Sequence, residues 1–196
     1  MCGYVELCER EEMSDTLRSY LSHIRSGNEA LTSLSEELLG YSTAVSEKKP
    51  DPQITDIRAL LEESIISFAG QLEKRGITPE ISLPEGPLYR TVDRYAMSRV
   101  FGNIISNAVK YSDGDLSILL TADGTVSFSN TSSDLSEVDT AKLFDRFFTV
   151  DTARISTGLG LSIAKLLTER SGGSISASYA DGRLTITVTF KNSQPI

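Results

Sequence analysis

The 196-residue chain reads as an α+β protein: a two-layer α/β sandwich with a mixed, largely antiparallel sheet, preceded by part of a helical hairpin. Three observations predict this. Short segments of alternating apolar residues are joined by Asp-Gly turns at 123–124 and 181–182, which gives hairpins. Between the strand segments, apolar positions recur at helical spacing, which gives helices with one face to bury. Before residue 50 the pattern changes to a seven-residue repeat, and Pro50 and Pro52 separate that repeat from the α/β segments. The expected units are therefore helical over 1–49, a linker over 50–53 and an α+β domain over 54–192.

Residues 1–13 read as the tail of a helix, with Tyr4, Val5, Leu7 and Cys8 as its apolar positions. Ser14 and Asp15 supply a turn and an N-cap for a long helix from about 16 to 45. Leu17, Ile24, Leu31 and Leu38 form one seven-residue series, and Tyr20, Gly27, Leu34 and Tyr41 a second, with an interruption at Gly27 and Asn28. A seam on so short a hairpin is best buried against a second copy, as a dimeric four-helix bundle.

After the charged, proline-broken E-K-K-P-D-P comes an expected helix over 54–74, with Ile57, Leu60, Leu61, Ile65, Phe68 and Leu72 on its inner face. A strand is expected over 77–83, closed by Pro84, Gly86 and Pro87, and another over 88–92. Asp93 opens a helix running to about Tyr111. Strands over 116–120 and 126–129 form a hairpin, and an irregular stretch comes next. A helix then runs from the glycines near 158 to about Arg170, stopped by Gly172 and Gly173. An alternating hairpin over 174–179 and 184–190 finishes the domain.

Composition narrows the function. Hydrophobic content of 39% and charged content of 23% are those of an ordinary globular protein. A net charge of −8 argues against binding duplex nucleic acid. No apolar run approaches the ~20 residues of a membrane helix. The two cysteines, Cys2 and Cys8, have no metal-ligand partners nearby, so the simple expectation is a reduced, cytoplasmic setting without a cysteine metal site.

Three stretches carry chemistry. In S-T-G-L-G-L-S-I-A-K at 156–165, Gly158 and Gly160 precede a helical run with Ile163, Leu166 and Leu167 on one face. Unpaired N–H groups at such a helix start form a phosphate seat. In the helix over 93–111, Asn103, Asn107 and Lys110 or Tyr111 share one face. An amide oxygen can ligate Mg²⁺ when phosphates complete the shell, and a lysine can neutralise phosphate charge. Equally, both asparagines could satisfy neighbouring backbone while Lys110 snorkels. In L-F-D-R-F-F at 143–148 the phenylalanines look like core anchors for a loop. Arg146 and Arg154 flank it as phosphate contacts, and the loop reads as a lid.

N-I-I-S-N-A-V-K-Y at 103–111, L-F-D-R-F-F at 143–148 and the glycine stretch at 156–165 resemble the N, F and G2 boxes of two-component sensor histidine kinases, in that order. S-G-G-S-I-S-A at 171–177 is similar to the family's ending, so the resemblance covers nearly the whole chain. It implies the ATP-binding sandwich shared with gyrase-type ATPases, with ATP and Mg²⁺ as cofactors. It also implies transfer of the γ-phosphate to a histidine and signalling to a response regulator. Carried over by position, Asn107 would ligate Mg²⁺, while Asn103 and Lys110 would contact phosphate or metal; these three form the expected catalytic set. Tyr111, Asn130, Arg154, Thr157, Gly158, Leu159, Gly160 and Leu161 would join Asn107 and Lys110 around the nucleotide. Asn103 stands one turn before Asn107, where gyrase-type ATPases keep a carboxylate base, and this favours transfer over hydrolysis.

The base-binding box departs from the family. Asn130 falls where an aspartate usually accepts from the adenine amino group, and Ser132 and Asp134 replace two glycines. The amide oxygen can still accept, without the charge. The single histidine, His23, is followed by Ile24 and Arg25 rather than the acid and proline of an acceptor box, and it lies in the helix that enters the linker. It is expected to be a solvent-facing helix residue. By resemblance, 1–49 is then a partial dimerisation hairpin without its phosphoacceptor box. Such a fragment binds Mg-ATP but does not phosphorylate itself. The resemblance further implies a homodimer, and a full-length protein anchored to the inner face of the membrane through a missing N-terminal part. The rival readings are a serine-kinase anti-sigma-type ATPase of the same fold and a nucleotide-free dimerising scaffold.

Overall fold

In the computed structural model, which describes residues 14–45, 50–135, 140–149 and 157–190, a long helix comes first and a two-layer α/β unit after it. The helix tail expected over 1–13, with Cys2 and Cys8, lies outside the described residues. Helix α1 (Asp15–Val45) is 31 residues long, and Ser14 caps it by accepting the Leu17 N–H at 3.3 Å. Leu17, Tyr20, Ile24, Leu31, Leu34 and Leu38 are exposed, so the seven-residue seam finds no cover among the described residues. His23 is exposed, as its sequence setting predicts.

The expected helix over 54–74 is corrected at both its start and its middle. Residues at its start form strand β1 (Gln53–Asp56), paired antiparallel with β3 (Tyr89–Val92), with Asp56 opposite Tyr89. Ile54 is therefore a strand residue, 79% exposed, and not the first residue of a helix. Asp56 sets the boundary: its Oδ1 accepts the N–H of Arg58 at 3.1 Å and that of Leu88 at 3.0 Å, which caps α2 (Ile57–Ser67) and ties it to β3's approach. The helix then breaks at Phe68 before a short α3 (Ala69–Lys74). Ile57, Leu60, Leu61, Ile65 and Leu72 are buried as expected, and Phe68 packs against the core from its edge.

After β2 (Glu80–Ser82) and β3, Asp93 caps α4 (Arg94–Tyr111) through Oδ1, which accepts the Ala96 N–H at 2.9 Å. The second oxygen of Asp93 accepts the N–H of Asp51 at 3.1 Å, so the linker region is fastened to the helix start. Strands β4 (Ser117–Leu120) and β5 (Val126–Thr131), two 3-10 turns (Ser133–Leu135 and Thr140–Phe144), helix α5 (Gly160–Arg170) and strands β6 (Ser174–Ala180) and β7 (Arg183–Thr189) complete the unit. Asp181 and Gly182 both take positive φ, 51° and 76°, as the tight turn between β6 and β7 requires.

The five-stranded sheet has the order β2-β4-β5-β7-β6, with only β2–β4 parallel. That is the mixed, largely antiparallel sheet of the sequence expectation. Its inner face presents Ile118, Val126, Phe128, Ile186 and Val188 to Leu61, Met97, Phe101 and Ile105 from the helices. Each large side chain so buried stabilises the fold by roughly 1.5–3 kcal/mol. The other face is a surface of hydroxyls, with Ser129 and Thr185 3.0 Å apart and Ser174 and Thr189 2.6 Å apart.

Candidate nucleotide site

Helix α4 separates its residues cleanly. Val100, Phe101, Ile104, Ile105, Ala108 and Val109 are buried against the sheet and the neighbouring helices. Asn103, Ser106, Asn107, Lys110 and Tyr111 are half-buried and form a polar stripe beside them. At 1.5 Å of rise per residue, the stripe from Asn103 to Tyr111 is about 12 Å long, the scale of a nucleoside triphosphate.

The two amides of the stripe have no hydrogen-bond partners among the described residues. The Nδ2 of Asn103 is fully enclosed and unpartnered, a state that costs about 1–3 kcal/mol. The alternative in which both asparagines satisfy neighbouring backbone is thus not what the chain does. Among the described residues no three His, Cys, Asp or Glu side chains stand together. A metal here would take one amide oxygen, that of Asn107, and the rest of its shell from phosphate and water.

Helix α5 packs beside α4 and opens at Gly160. Its N-cap residue, Leu159, offers no side-chain oxygen, so it does not cap the first-turn N–H groups. Thr157 turns its hydroxyl inward, accepting the Leu159 N–H at 3.3 Å. Leu159 and Leu161 are 1% and 6% exposed, so their side chains belong to the core and only their peptide groups can face a ligand.

The two glycines have different reasons to be there. Gly158 has φ +65°, and a Cβ on it would lie 2.6 Å from the carbonyl carbon of Phe147 and 2.6 Å from the oxygen of Phe148. It is glycine because the 143–148 loop packs directly on it. Around Gly160 nothing lies within 4 Å of the added Cβ, so the surface is open where a phosphate would approach.

The loop itself is only partly anchored. Leu143 and Phe144 pack against the core, and the Lys165 ammonium sits 5.7 Å from the Phe144 ring centre. Phe147, expected as a core anchor, is instead 68% exposed with φ 63°. Its N–H donates to the Gly158 carbonyl at 3.1 Å, and that bond turns the side chain outward. Arg146 is exposed on the same loop, and Arg154 lies outside the described residues.

At the other end of the stripe, Asn130 closes the inner face of β5 and is 4% exposed. Its Nδ2 donates to the Thr131 carbonyl at 2.9 Å. Ser132 is buried; its N–H donates to the Gly182 carbonyl at 3.0 Å, and its carbonyl accepts the Tyr179 hydroxyl at 2.8 Å. None of residues 130–135 takes positive φ, so this segment takes a path open to any L-residue and has no need of glycines at 132 and 134.

A network behind Asn130 escapes the sequence patterns. Asp115 Oδ1 accepts both the N–H and the hydroxyl of Thr131, at 2.7 and 2.5 Å, while Arg183 holds Oδ2 at 2.9 Å. Burial alone would raise the Asp115 pKa, but the Thr131 hydroxyl and amide, with Arg183, together hold it below the ordinary aspartate value. Asp113 answers on the other side: its Oδ2 accepts the Ser133 N–H at 2.8 Å, and its own N–H donates to the Thr131 carbonyl at 3.0 Å. The sequence signal is the Asp-Gly-Asp at 113–115, which reads as a turn and conceals the long-range partners.

Comparison with known proteins supplies a family and a fold. The family described as "Histidine kinase-, DNA gyrase B-, and HSP90-like ATPase" matches residues 92–194. The chain is 28% identical to the sensor histidine kinase YcbM of Bacillus subtilis (strain 168), across 96% of this chain and 65% of that protein. It is 33% identical to the sensor protein VanSC of Enterococcus gallinarum, across 69% of this chain and 40% of that one. The chain thus spans less than two thirds of either relative. Among solved structures, the Acinetobacter baumannii histidine kinase AdeS superposes with a TM-score of 0.67 at 21% identity, covering 93% of this chain and 88% of that one. Full-length ShkA in complex with AMPPNP superposes at 0.66 with 22% identity, covering 96% and 42%. At such identities the structural likeness shows the fold.

Proposed function

The chain belongs to the histidine kinase-, DNA gyrase B- and HSP90-like ATPase family, and from that premise we propose that it is the ATP-binding catalytic part of a two-component sensor histidine kinase. The observation that carries the reading is the pair of unpartnered amides on α4 beside the open-surfaced start of α5. Amide groups that the described residues leave without partners are arranged for a polar ligand. The family and the sensor-kinase relatives make that ligand ATP.

In this reading Asn130 and Tyr111 take the base end, and Asn107, Lys110 and Asn103 face the phosphates. The open peptide N–H groups at Gly160 and Leu161 take phosphate oxygens, with Thr157, Leu159 and Arg154 at the lid's edge. Asn107, together with the phosphates, would hold a Mg²⁺ ion, whose chemistry there would be charge neutralisation at the transferring group. No carboxylate stands one turn before Asn107 to activate water, so the site favours delivery of the γ-phosphate to an acceptor histidine. His23, exposed on α1 without an acceptor box around it, is not that histidine.

The same reading gives partners to the surfaces. The exposed seam on α1 is covered by a second copy in a four-helix bundle, and a response regulator receives the phosphoryl group. Residues 1–49 are then the later part of a dimerisation hairpin, 50–53 the linker and 54–192 the catalytic domain. The kinase acts at the inner face of the membrane. No helix among the described residues is long and apolar enough to cross a membrane.

Isothermal titration with ATP, with and without Mg²⁺, tests the proposal. Magnesium-dependent ATP binding, lost in Asn107→Ala, is the expected result. A chain that binds no nucleotide under these conditions would be a scaffold instead, and the reading would fall. Phosphotransfer is then assayed by supplying a hairpin that carries an acceptor box.

A further inference from the structure

We propose that β6 is an interaction edge whose partner is the β6 of a second copy of this chain, paired antiparallel about Ala177. The pairing does not depend on the nucleotide-binding reading, which leaves this edge unused.

A sheet edge is a row of unpaired main-chain groups, and folded proteins blunt it with charge, proline, a bulge or brevity. At one edge of the five-stranded sheet β2 is blunted: it has three residues, begins at Glu80 and is soon followed by Pro84. At the other edge β6 has none of these devices. Its seven residues, S-I-S-A-S-Y-A at 174–180, include no charge and no proline. They run in unbroken register with β7, from Ser174 opposite Thr189 to Ala180 opposite Arg183. On the outer side, no backbone hydrogen bond joins 174–180 to any other described segment. In a chain of net charge −8, an uncharged edge is where two copies can meet without repulsion.

The order of residues in the strand says what fits it. Ser174, Ser176, Ser178 and Ala180 are exposed on the hydroxyl face, while Ile175, Ala177 and Tyr179 are half-buried against the core. A strand added here has to continue both faces. With two copies antiparallel about Ala177, Ile175 of each meets Tyr179 of the other, and Ala177 meets itself. On the opposite face Ser176 meets Ser178, and Ser174 meets Ala180. Apolar thus meets apolar and small meets small along the whole strand, the condition for a two-fold contact. A slip of one residue sets the apolar row of one copy against the hydroxyls of the other, so the register is fixed. Tyr179 is already held for this contact, because its hydroxyl donates to the Ser132 carbonyl at 2.8 Å. Pairing at this edge joins the five-stranded sheets of two copies into one continuous sheet.

The test first removes association through the helical seam. Leu31 and Leu38 are exposed, so Leu31→Glu with Leu38→Glu takes that seam away and leaves the core untouched. In sedimentation equilibrium the full chain with these two changes should still pass from monomer to dimer, weakly and with concentration, as a contact one strand wide implies. Adding Ser176→Lys and Ser178→Lys, both at exposed positions, sets lysine against lysine twice and should weaken the dimer about five-fold or more. Ser176→Lys with Ser178→Glu instead sets lysine against glutamate twice, and should restore it. Cross-linking reads the register directly. In a Cys2→Ser, Cys8→Ser background, Ala177→Cys should oxidise to a linked dimer, because opposed Cα atoms about 4.5–5.5 Å apart are within a disulfide's reach. Ser176→Cys alone, facing residue 178, should link far more slowly. A monomer at every concentration overturns the proposal, and so does a dimer that the lysine–glutamate pair fails to restore. Faster linking at 176 than at 177 overturns the two-fold pairing. None of these results depends on whether ATP binds.

Discussion

The N–H of Phe147 donates to the carbonyl of Gly158 at 3.1 Å, and both residues sit at positive φ, 63° and 65°. A phenylalanine accepts that conformation only when its surroundings impose it. The imposing element is the glycine turn, which in turn has no room for a Cβ beneath Phe147 and Phe148. The aromatic loop and the glycine stretch are therefore one folded unit, although seven residues between them lie outside the described residues.

Replacing the two glycines separates packing from binding. Gly158→Ala meets both the positive φ and the 2.6 Å contacts, and should lower unfolding stability by about 1–3 kcal/mol. Gly160→Ala, in open space at a helix start, should leave stability within about 1 kcal/mol and weaken ATP binding. Urea melts and calorimetric titration of the two variants check this. Equal destabilisation by both would show that Gly160 serves packing too.

Asn103→Ala should act in opposite directions on fold and function. It removes the enclosed, unpartnered Nδ2 and puts a better helix former in its place, a gain of about 1 kcal/mol for the nucleotide-free chain. At roughly 2–4 °C per kcal/mol the melting temperature should rise measurably. The further rise on adding Mg-ATP should shrink. A lower melting temperature without nucleotide would mean that Asn103 has a structural duty after all.

Acid should loosen the Asp115 network. The folded-state pKa of Asp115 lies below its unfolded value, so its contribution is present above the ordinary aspartate range and is lost as pH falls through the folded value. The side chain is 38% exposed, and solvent screening keeps the contribution below about 1 kcal/mol. Stability measured downward from about pH 4 should fall less steeply in Asp115→Asn than in the parent chain. Parallel curves would remove Asp115 from the acid response.

His23→Gln should change nothing that ATP does. The imidazole is exposed on α1, away from any acidic neighbour in sequence. Incubation with γ-labelled ATP should leave no acid-labile phosphate on this residue. Labelled phosphohistidine at 23 would make α1 the acceptor helix.

The sheet, the two hairpin turns and the helices bearing the asparagines and glycines are legible in the sequence, because each rests on local periodicity and turn chemistry. Legibility ends where a distant partner decides. Ile54 continues a helical apolar pattern, but pairing with the 89–92 strand draws it into β1 and leaves it exposed. Phe147 looks like a buried aromatic until the Gly158 carbonyl turns it outward. In the site, the amides at 103 and 107 are visible as a pair, but their lack of partners is a property of packing. The Asp115–Thr131–Arg183 link joins residues up to 68 positions apart, and no spacing rule reaches that far.

One carboxylate, that of Asp93, closes two connections at once: one oxygen caps α4, and the other receives the N–H of Asp51. A hydroxyl or an alanine at 93 leaves fewer than two such oxygens, so the pair cannot survive the change intact. The residue that fastens the junction at 51 is thus the same one that caps the helix bearing Asn103 and Asn107, so one substitution there loosens both attachments.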